Sequence, residues 1–334
     1  MKIMFKQIDL KKITLLLVLV FVATAAIACF IYFAQYGFNF SSASMFSGDI
    51  KGGVKVDEQK TEALQSLNDI SIKTVGENIN IITSDTDEVK AHFYGSYFSS
   101  NKDFKPELTV VRAGDKLEIK VEYKPNIMMF TFRSNLKLDV YIPKQFAGNL
   151  ESTSTSGEIA ADSFTLESFT GKTTSGNLEI KLINAKEANI HTLSGETKIN
   201  GTYDSFTFKS TSGNLDSTAL VSKESIVDST SGEINIAGTP GDINATSSSG
   251  NVDLEYTDFS NKVDIRTTSG EVTLKLPGSA GFNLDYSGTS GDVECAFPIT
   301  VTGSRADNKL KGTVGSGEGA IKVRTTSGNL NIVK

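Results

Sequence analysis

The sequence predicts an all-β chain, a parallel β-helix with turns of about 19 residues, preceded by a β-rich lead-in and one N-terminal transmembrane helix. Three observations lead there. A Ser-Gly dipeptide recurs through the second half of the chain at nearly constant spacing. Apolar and polar residues alternate on both sides of each copy. Near the N-terminus, 21 consecutive residues carry no charge.

Taken in chain order, residues 1–12 contain Lys2, Lys6, Lys11 and Lys12, and they read as a cytoplasmic N-terminus. Residues 13–33, ITLLLVLVFVATAAIACFIYF, form a helix of about 31 Å at 1.5 Å per residue, the thickness of the hydrocarbon core. No Lys or Arg follows until Lys51, so the positive-inside bias keeps the N-terminus in the cytoplasm and exports the body. The expected element is an uncleaved signal-anchor. A cleaved signal peptide would use Ala26-Ile27-Ala28 as its small-residue site. A lipoprotein would acylate Cys29, but apolar Phe30-Ile31-Tyr32-Phe33 follows directly. Residues 34–66 are rich in Gly and Ser without sustained period, and they read as a linker holding the body off the membrane.

Residues 67–150 show short alternating runs: Ile70-Ser71-Ile72, Ile79-Asn80-Ile81, Leu117 to Val121 and Leu136 to Tyr141. From residue 151 to 334 the chain repeats. Ser-Gly places glycine at Gly157, Gly176, Gly195, Gly213, Gly232, Gly250, Gly270, Gly291 and Gly328, in steps of 19, 19, 18, 19, 18, 20, 21 and 37. The last step is about two periods, so one turn is degenerate or replaced. Apolar pairs stand two and four residues after each glycine (Leu178/Ile180, Val252/Leu254), and others seven and five before it (Phe206/Phe208, Val263/Ile265). This is the period of a strand with one face inward. Glycine at the corner is expected to hold a left-handed backbone position. Stacked Thr-Ser-Gly corners would bring hydroxyls about 4.8 Å apart, close enough to bond along the column. An uncovered final strand, Leu330 to Val333, would invite pairing, so either residues 299–319 are expected to fold back as a cap or the end is expected to dock on another molecule.

The residue after each glycine alternates between acid and amide: Glu158, Asn177, Glu196, Asn214, Glu233, Asn251 and Glu271, followed by Asp292 and Asn329. Carboxylates stacked at 4.8 Å would repel by about 0.9 kcal/mol even in water. Alternation doubles the gap to roughly the Debye length, so these residues read as a solvent-facing column and a candidate binding surface. Calcium, which wants six to eight oxygens, is not expected on acids spaced that far apart.

Composition removes other classes. The 334 residues include 2 His, 2 Cys and no Trp, which leaves little for a zinc site or a disulfide scaffold. With Cys29 in the apolar run, Cys295 has no disulfide partner and reads as a small core residue. The formal charge is −6, and the first 36 residues hold four of the bases and one acid, leaving −9 on the rest. An acidic body argues against nucleic-acid binding. No Ser/His/Asp arrangement, phosphate loop or metal cluster appears, and Asp204, Asp228, Asp242, Asp258, Asp264 and Asp285 read as scattered turn residues. His191 falls in one column with Lys172, Lys209, Arg266 and Arg324, a polar surface stripe. His92, among Phe93, Tyr94, Tyr97 and Phe98, belongs either to a packed cap or to an exposed ligand-binding loop.

An N-terminal anchor, a lead-in ending Val140-Tyr141-Ile142-Pro143-Lys144, and repeated Thr-Ser-Gly-[Glu/Asn]-[Ile/Leu/Val]-x-[Ile/Leu] corners resemble the putative-adhesin family of bacterial envelope proteins, which includes LiaG-type proteins. The resemblance covers about residues 67–334 and carries over no catalytic residue or cofactor. It implies a membrane-anchored, extracytoplasmic envelope protein that binds or scaffolds a cell-wall glycan or an envelope protein and is not an enzyme. Two other functions fit the same chain: a β-helix carbohydrate-active enzyme, and an accessory protein in envelope-stress signalling.

Overall fold

A computed structural model describes residues 53–334 apart from 102, 125–131 and 303–307. The expected cytoplasmic segment 1–12, the span 13–33 and most of the linker lie outside the described residues. Within them there are 24 strands and no helix.

The lead-in comprises β1 (Val54–Ala63), β2 (Asp69–Lys73), β3 (Asn78–Ser84), β4 (Glu88–Ser99), β5 (Lys105–Ala113), β6 (Lys116–Lys124) and β7 (Phe132–Pro143). The repeats begin with β8 (Asn149–Ser154), β9 (Ile159–Ala161), β10 (Phe164–Thr173), β11 (Leu178–Thr192), β12 (Glu196–Ser210) and β13 (Asn214–Ser229). They continue through β14 (Ile234–Thr239), β15 (Asp242–Ser247), β16 (Val252–Tyr256), β17 (Lys262–Thr267) and β18 (Val272–Lys275). The last part holds β19 (Phe282–Ser287), β20 (Val293–Cys295), β21 (Thr300–Val301), β22 (Lys309–Val314), β23 (Gly319–Thr325) and β24 (Leu330–Val333).

Alternation builds these strands. In β11, Leu178, Ile180, Ile183, Ala188 and Ile190 are buried while Glu179, Lys181, Lys186 and Glu187 face out. Successive repeats then pair in parallel. Before the corner the inward row runs Leu150, Phe169, Ala188, Phe206, Ser225, Ile243 and Val263. After it the row runs Ile159, Leu178, Thr197, Leu215, Ile234, Val252 and Val272. Like residues therefore lie over like, and one apolar column fills the interior.

The pairing does not stop at residue 150. Ile70 pairs with Leu150 and Ile79 with Ile159, so β2 and β3 form a further layer of the same stack. Nor is all of residues 34–66 a linker: Val54–Ala63 is β1, antiparallel to β4. Its signal is weak because Val56 alone of its ten residues is buried, so no apolar period marks it.

Both ends of the stack are threaded out of chain order. At the C-terminal end, β23 lies between β17 and β19, and β24 between β18 and β20. At the other end β2 lies between β6 and β8, and β3 between β7 and β9. The 37-residue step is thus an excursion: the chain builds the layer of β19 and β20 and returns to fill the slot beneath it. Leu330–Val333, expected from the sequence to be covered by residues 299–319 or by another molecule, is hydrogen-bonded on both sides by β18 and β20. Antiparallel strands cover the ends, with β5 on β6, β4 on β7, β22 on β19 and β21 on β22.

Candidate functional site

Most corners are built by a residue that the repeat pattern does not mark. At seven of the nine corners a Ser or Thr three positions before the glycine accepts the glycine N–H on its hydroxyl oxygen, as in Ser154–Gly157 (2.9 Å), Thr173–Gly176 (2.8 Å), Ser229–Gly232 (3.0 Å) and Thr267–Gly270 (2.9 Å). Before Gly291 that position is Gly288, and before Gly195 it is Thr192, which donates to the Ser194 carbonyl instead. Most of these hydroxyls are buried and bond within their own turn, while the Thr and Ser of the motif itself face solvent. Two bonds between layers follow the expected column pattern, Thr74 Oγ1 to Ser154 Oγ at 3.1 Å and Ser290 Oγ to Ser327 Oγ at 3.4 Å. The hydroxyl ladder is therefore chiefly a set of local turns.

The glycines are needed for a different reason from the one expected. Of the nine, Gly195 and Gly291 have positive φ. At Gly176, Gly232 and Gly270 a side chain would instead collide with the carbonyl oxygen of the glycine in the adjacent layer, Gly157, Gly213 and Gly250 respectively. Close backbone approach excludes a Cβ. The same contacts place the corners in single file, Gly157, Gly176, Gly195, Gly213, Gly232, Gly250, Gly270, Gly328 and Gly291, with Glu77 occupying the glycine position before Gly157.

In that spatial order the column after the glycine reads Asn78, Glu158, Asn177, Glu196, Asn214, Glu233, Asn251, Glu271, Asn329, Asp292. Amide and acid alternate without a break over ten layers, and the irregularity at Asp292 and Asn329 disappears. Each asparagine also holds its neighbour in place, because its Oδ1 accepts the backbone N–H of the acid in the next layer. The distances are 3.1 Å from Asn78 to Glu158, 2.9 Å from Asn177 to Glu196, 2.9 Å from Asn214 to Glu233, 3.1 Å from Asn251 to Glu271 and 3.0 Å from Asn329 to Asp292. Asn78 and Glu158 are half-buried, and the other members of the column are exposed. Asn78 escaped the sequence reading because Val75-Gly76-Glu77 replaces Thr-Ser-Gly before it.

On the strand entering the corner, the basic stripe is a register row. Lys172 pairs with His191 and His191 with Lys209, followed by Asp228, Thr246, Arg266 and Arg324. Burial, and then the charges of Lys172 and Lys209, hold the His191 imidazole below its ordinary pKa. An open groove of about 430 Å³ runs beside these three residues.

The remaining candidates are occupied structurally. His92 Nε2 lies 2.8 Å from Asp57 Oδ1 and its ring stacks on Tyr94 at 4.5 Å, tying β4 to β1. Cys295 is half-buried against the core, and burial pushes its thiol pKa up. Asp204 pairs with Lys223 at 2.7 Å, Asp264 with Arg266 at 3.0 Å and Asp285 with Arg324 at 2.8 Å. Asp242 accepts the Lys262 N–H at 2.9 Å and Asp258 that of Phe259 at 2.9 Å. Among the described residues no group of three or more His, Cys, Asp and Glu is placed to hold a metal ion.

The fold and its outward rows define an all-β repeat protein whose surface presents side chains in regular rows, layer after layer. The chain belongs to the Toastrack DUF4097 family, whose model matches residues 67–333. Similar solved structures include a putative adhesin from Parabacteroides merdae (13% identity, TM-score 0.50, covering 83% of this chain and 96% of that one). Others are a putative adhesin from Bacteroides fragilis (14%, TM-score 0.48, 84% and 98%) and a putative lipid binding protein from Parabacteroides distasonis (15%, TM-score 0.40, 84% and 98%). No curated protein matches the sequence.

Proposed function

We propose that this chain is a non-enzymatic binding protein of the bacterial cell envelope, adhesin-like or scaffolding, whose body is a parallel β-helix. Residues 13–33 anchor it in the cell membrane with residues 1–12 in the cytoplasm, and the described body stands outside. The observation that carries this reading is the unbroken acid and amide column over ten layers. Identical groups at fixed pitch suit simultaneous weak contacts with a polymer, where effective concentration multiplies individually small affinities. The name adhesin attached to similar structures agrees with it. Incubating the ectodomain 37–334 with purified cell-wall polysaccharides tests it: the expected result is retention of protein on polymer with no new chain ends. Release of new ends would establish instead a β-helix carbohydrate-active enzyme. An accessory role in envelope-stress signalling would show as loss of function when Ile13–Phe33 is exchanged for an unrelated span, which leaves a pure binder intact.

A further inference from the structure

We propose that Lys172, His191 and Lys209 form a binding site for an oxyanion, carboxylate or phosphodiester, carried on an envelope glycan. This deepens the reading above and rests on it.

The three side chains stand on consecutive layers in direct register, about 4.8 Å apart. Lys172 and Lys209 flank His191 from the layers on either side, and burial together with their charges disfavours the imidazolium, an opposition that a bound anion relieves. Elsewhere the same row is neutralised from the adjacent outward row. Arg266 meets Asp264 at 3.0 Å and Arg324 meets Asp285 at 2.8 Å. Beside the three proposed residues that adjacent row is uncharged, reading Thr170, Asn189 and Thr207. Lys172 has one partner, Glu151 at 2.7 Å, from the layer before. Lys209 has no carboxylate within ion-pair distance among the described residues, although Asp228 is its register neighbour.

The groove also explains why the anion should sit on a sugar. Thr153, Thr155, Thr174 and Thr211 line it, offering hydroxyls to a polyhydroxyl chain. Leu193 stands where neighbouring corners carry threonine, and it is 52% exposed on the groove wall. An apolar side chain among hydroxyls matches the mixed surface of a sugar ring better than it matches a free ion. His191 reports occupancy. The groups facing it are Lys172 and Lys209, with Glu151 and Asp228 one layer further on each side. A bound oxyanion opposes the two lysines and raises the imidazole midpoint, so binding tightens as pH falls through it.

The chain contains 2 histidines, so ring NMR of the full chain in uncharged detergent isolates the His191 signal from a single other ring. His92, held by Asp57, is the internal control. Polygalacturonate and a poly(glycerol phosphate) chain are each expected to raise the His191 midpoint and leave the His92 ring signals at fixed pH unperturbed, whereas neutral dextran changes neither. Lys172→Gln with Lys209→Gln should weaken retention on the charged polymers about tenfold or more, since each charge-assisted bond lost is worth over a kcal/mol. Lys262→Gln, on the same face, should leave it unchanged, and equal melting temperatures show the variants fold. Undiminished retention by the double variant, or an unmoved His191, overturns this site while leaving envelope binding standing. An equal shift with inorganic phosphate alone overturns the glycan assignment. Failure to bind any envelope polymer overturns the proposed function and this site together.

Discussion

Thr197 sits in the row where every other layer places an aliphatic side chain, between Leu178 and Leu215. It is fully buried, and its Oγ1 has no hydrogen-bond partner among the described residues. Valine has the same shape without the uncompensated desolvation of a hydroxyl, so Thr197→Val should stabilise the fold by about 1–2 kcal/mol. A raised urea midpoint with unchanged slope is the reading to look for. Glu77 presents a second buried cost. Its carboxylate accepts the N–H groups of Val75 and Gly76, each at 3.3 Å, but burial dominates and raises its pKa. The folded chain then holds this proton to higher pH than the unfolded chain. The contribution to stability is full below the unfolded value of about 4.3 and is lost as pH rises through the folded one. Glu77→Gln removes that slope, so the variant should gain on the native chain from pH 4 toward neutrality in urea midpoints taken across that range. Asp69, Glu118 and Asp285, held below the ordinary range chiefly by Asn149, Lys73 and Arg324, slope the other way and cancel in the difference. At this scale the sequence showed which residues recur but not why. A glycine demanded by a neighbouring carbonyl and one demanded by a left-handed φ are the same letter, and the hydroxyl three positions earlier hides because Ser and Thr interchange there without pattern and Gly288 interrupts them.

The strands of the repeats were legible because burial enforces a period of two, and β1 was not because one buried valine cannot set a period. The outward column lies between these cases. Its acid and amide alternation was visible, and spacing of charge was the reading it invited. The structure adds that each amide also satisfies a backbone N–H. These two roles separate experimentally at Asn214, whose Oδ1 accepts from Glu233 at 2.9 Å. Asn214→Ala removes the acceptor and should cost about 1 kcal/mol whatever the salt. Asn214→Asp keeps an acceptor but inserts a charge about 4.8 Å from both Glu196 and Glu233. It should cost about 1–2 kcal/mol at low ionic strength and recover most of that as salt is added. Equal, salt-independent losses for both variants would mean that charge spacing plays no part.

Across the whole molecule, what escaped the sequence is the order of the layers. Hydrophobic period reports which face of a strand is inward and says nothing about which strand lies beside it, so the chain read as stacked in sequence order. Yet the column held the clue. Glu271 and Asp292 are consecutive acids in sequence, and they are the one violation of alternation, which vanishes when Asn329 lies between them. The slot makes Leu330–Val333 an interior strand, with Leu330 N–H bonded to Asp292 O at 3.0 Å and Val272 N–H bonded to Asn329 O at 2.9 Å. Its amides should therefore exchange among the slowest in the chain, where an edge strand would exchange freely. Crosslinking distinguishes the two orders directly. Thr273 and Glu294 each pair with Asn331. Neighbouring strands are about 4.8 Å apart, inside the Cα range a disulfide spans, whereas strands two apart are at about 9.6 Å and outside it. With Cys29 and Cys295 replaced by serine, Thr273→Cys should oxidise with Asn331→Cys, and Glu294→Cys should do so with Asn331→Cys. Thr273→Cys with Glu294→Cys should remain reduced. A disulfide in that last pair would put β20 directly on β18, restore sequence order, and leave the alternation at Asp292 and Asn329 without its explanation.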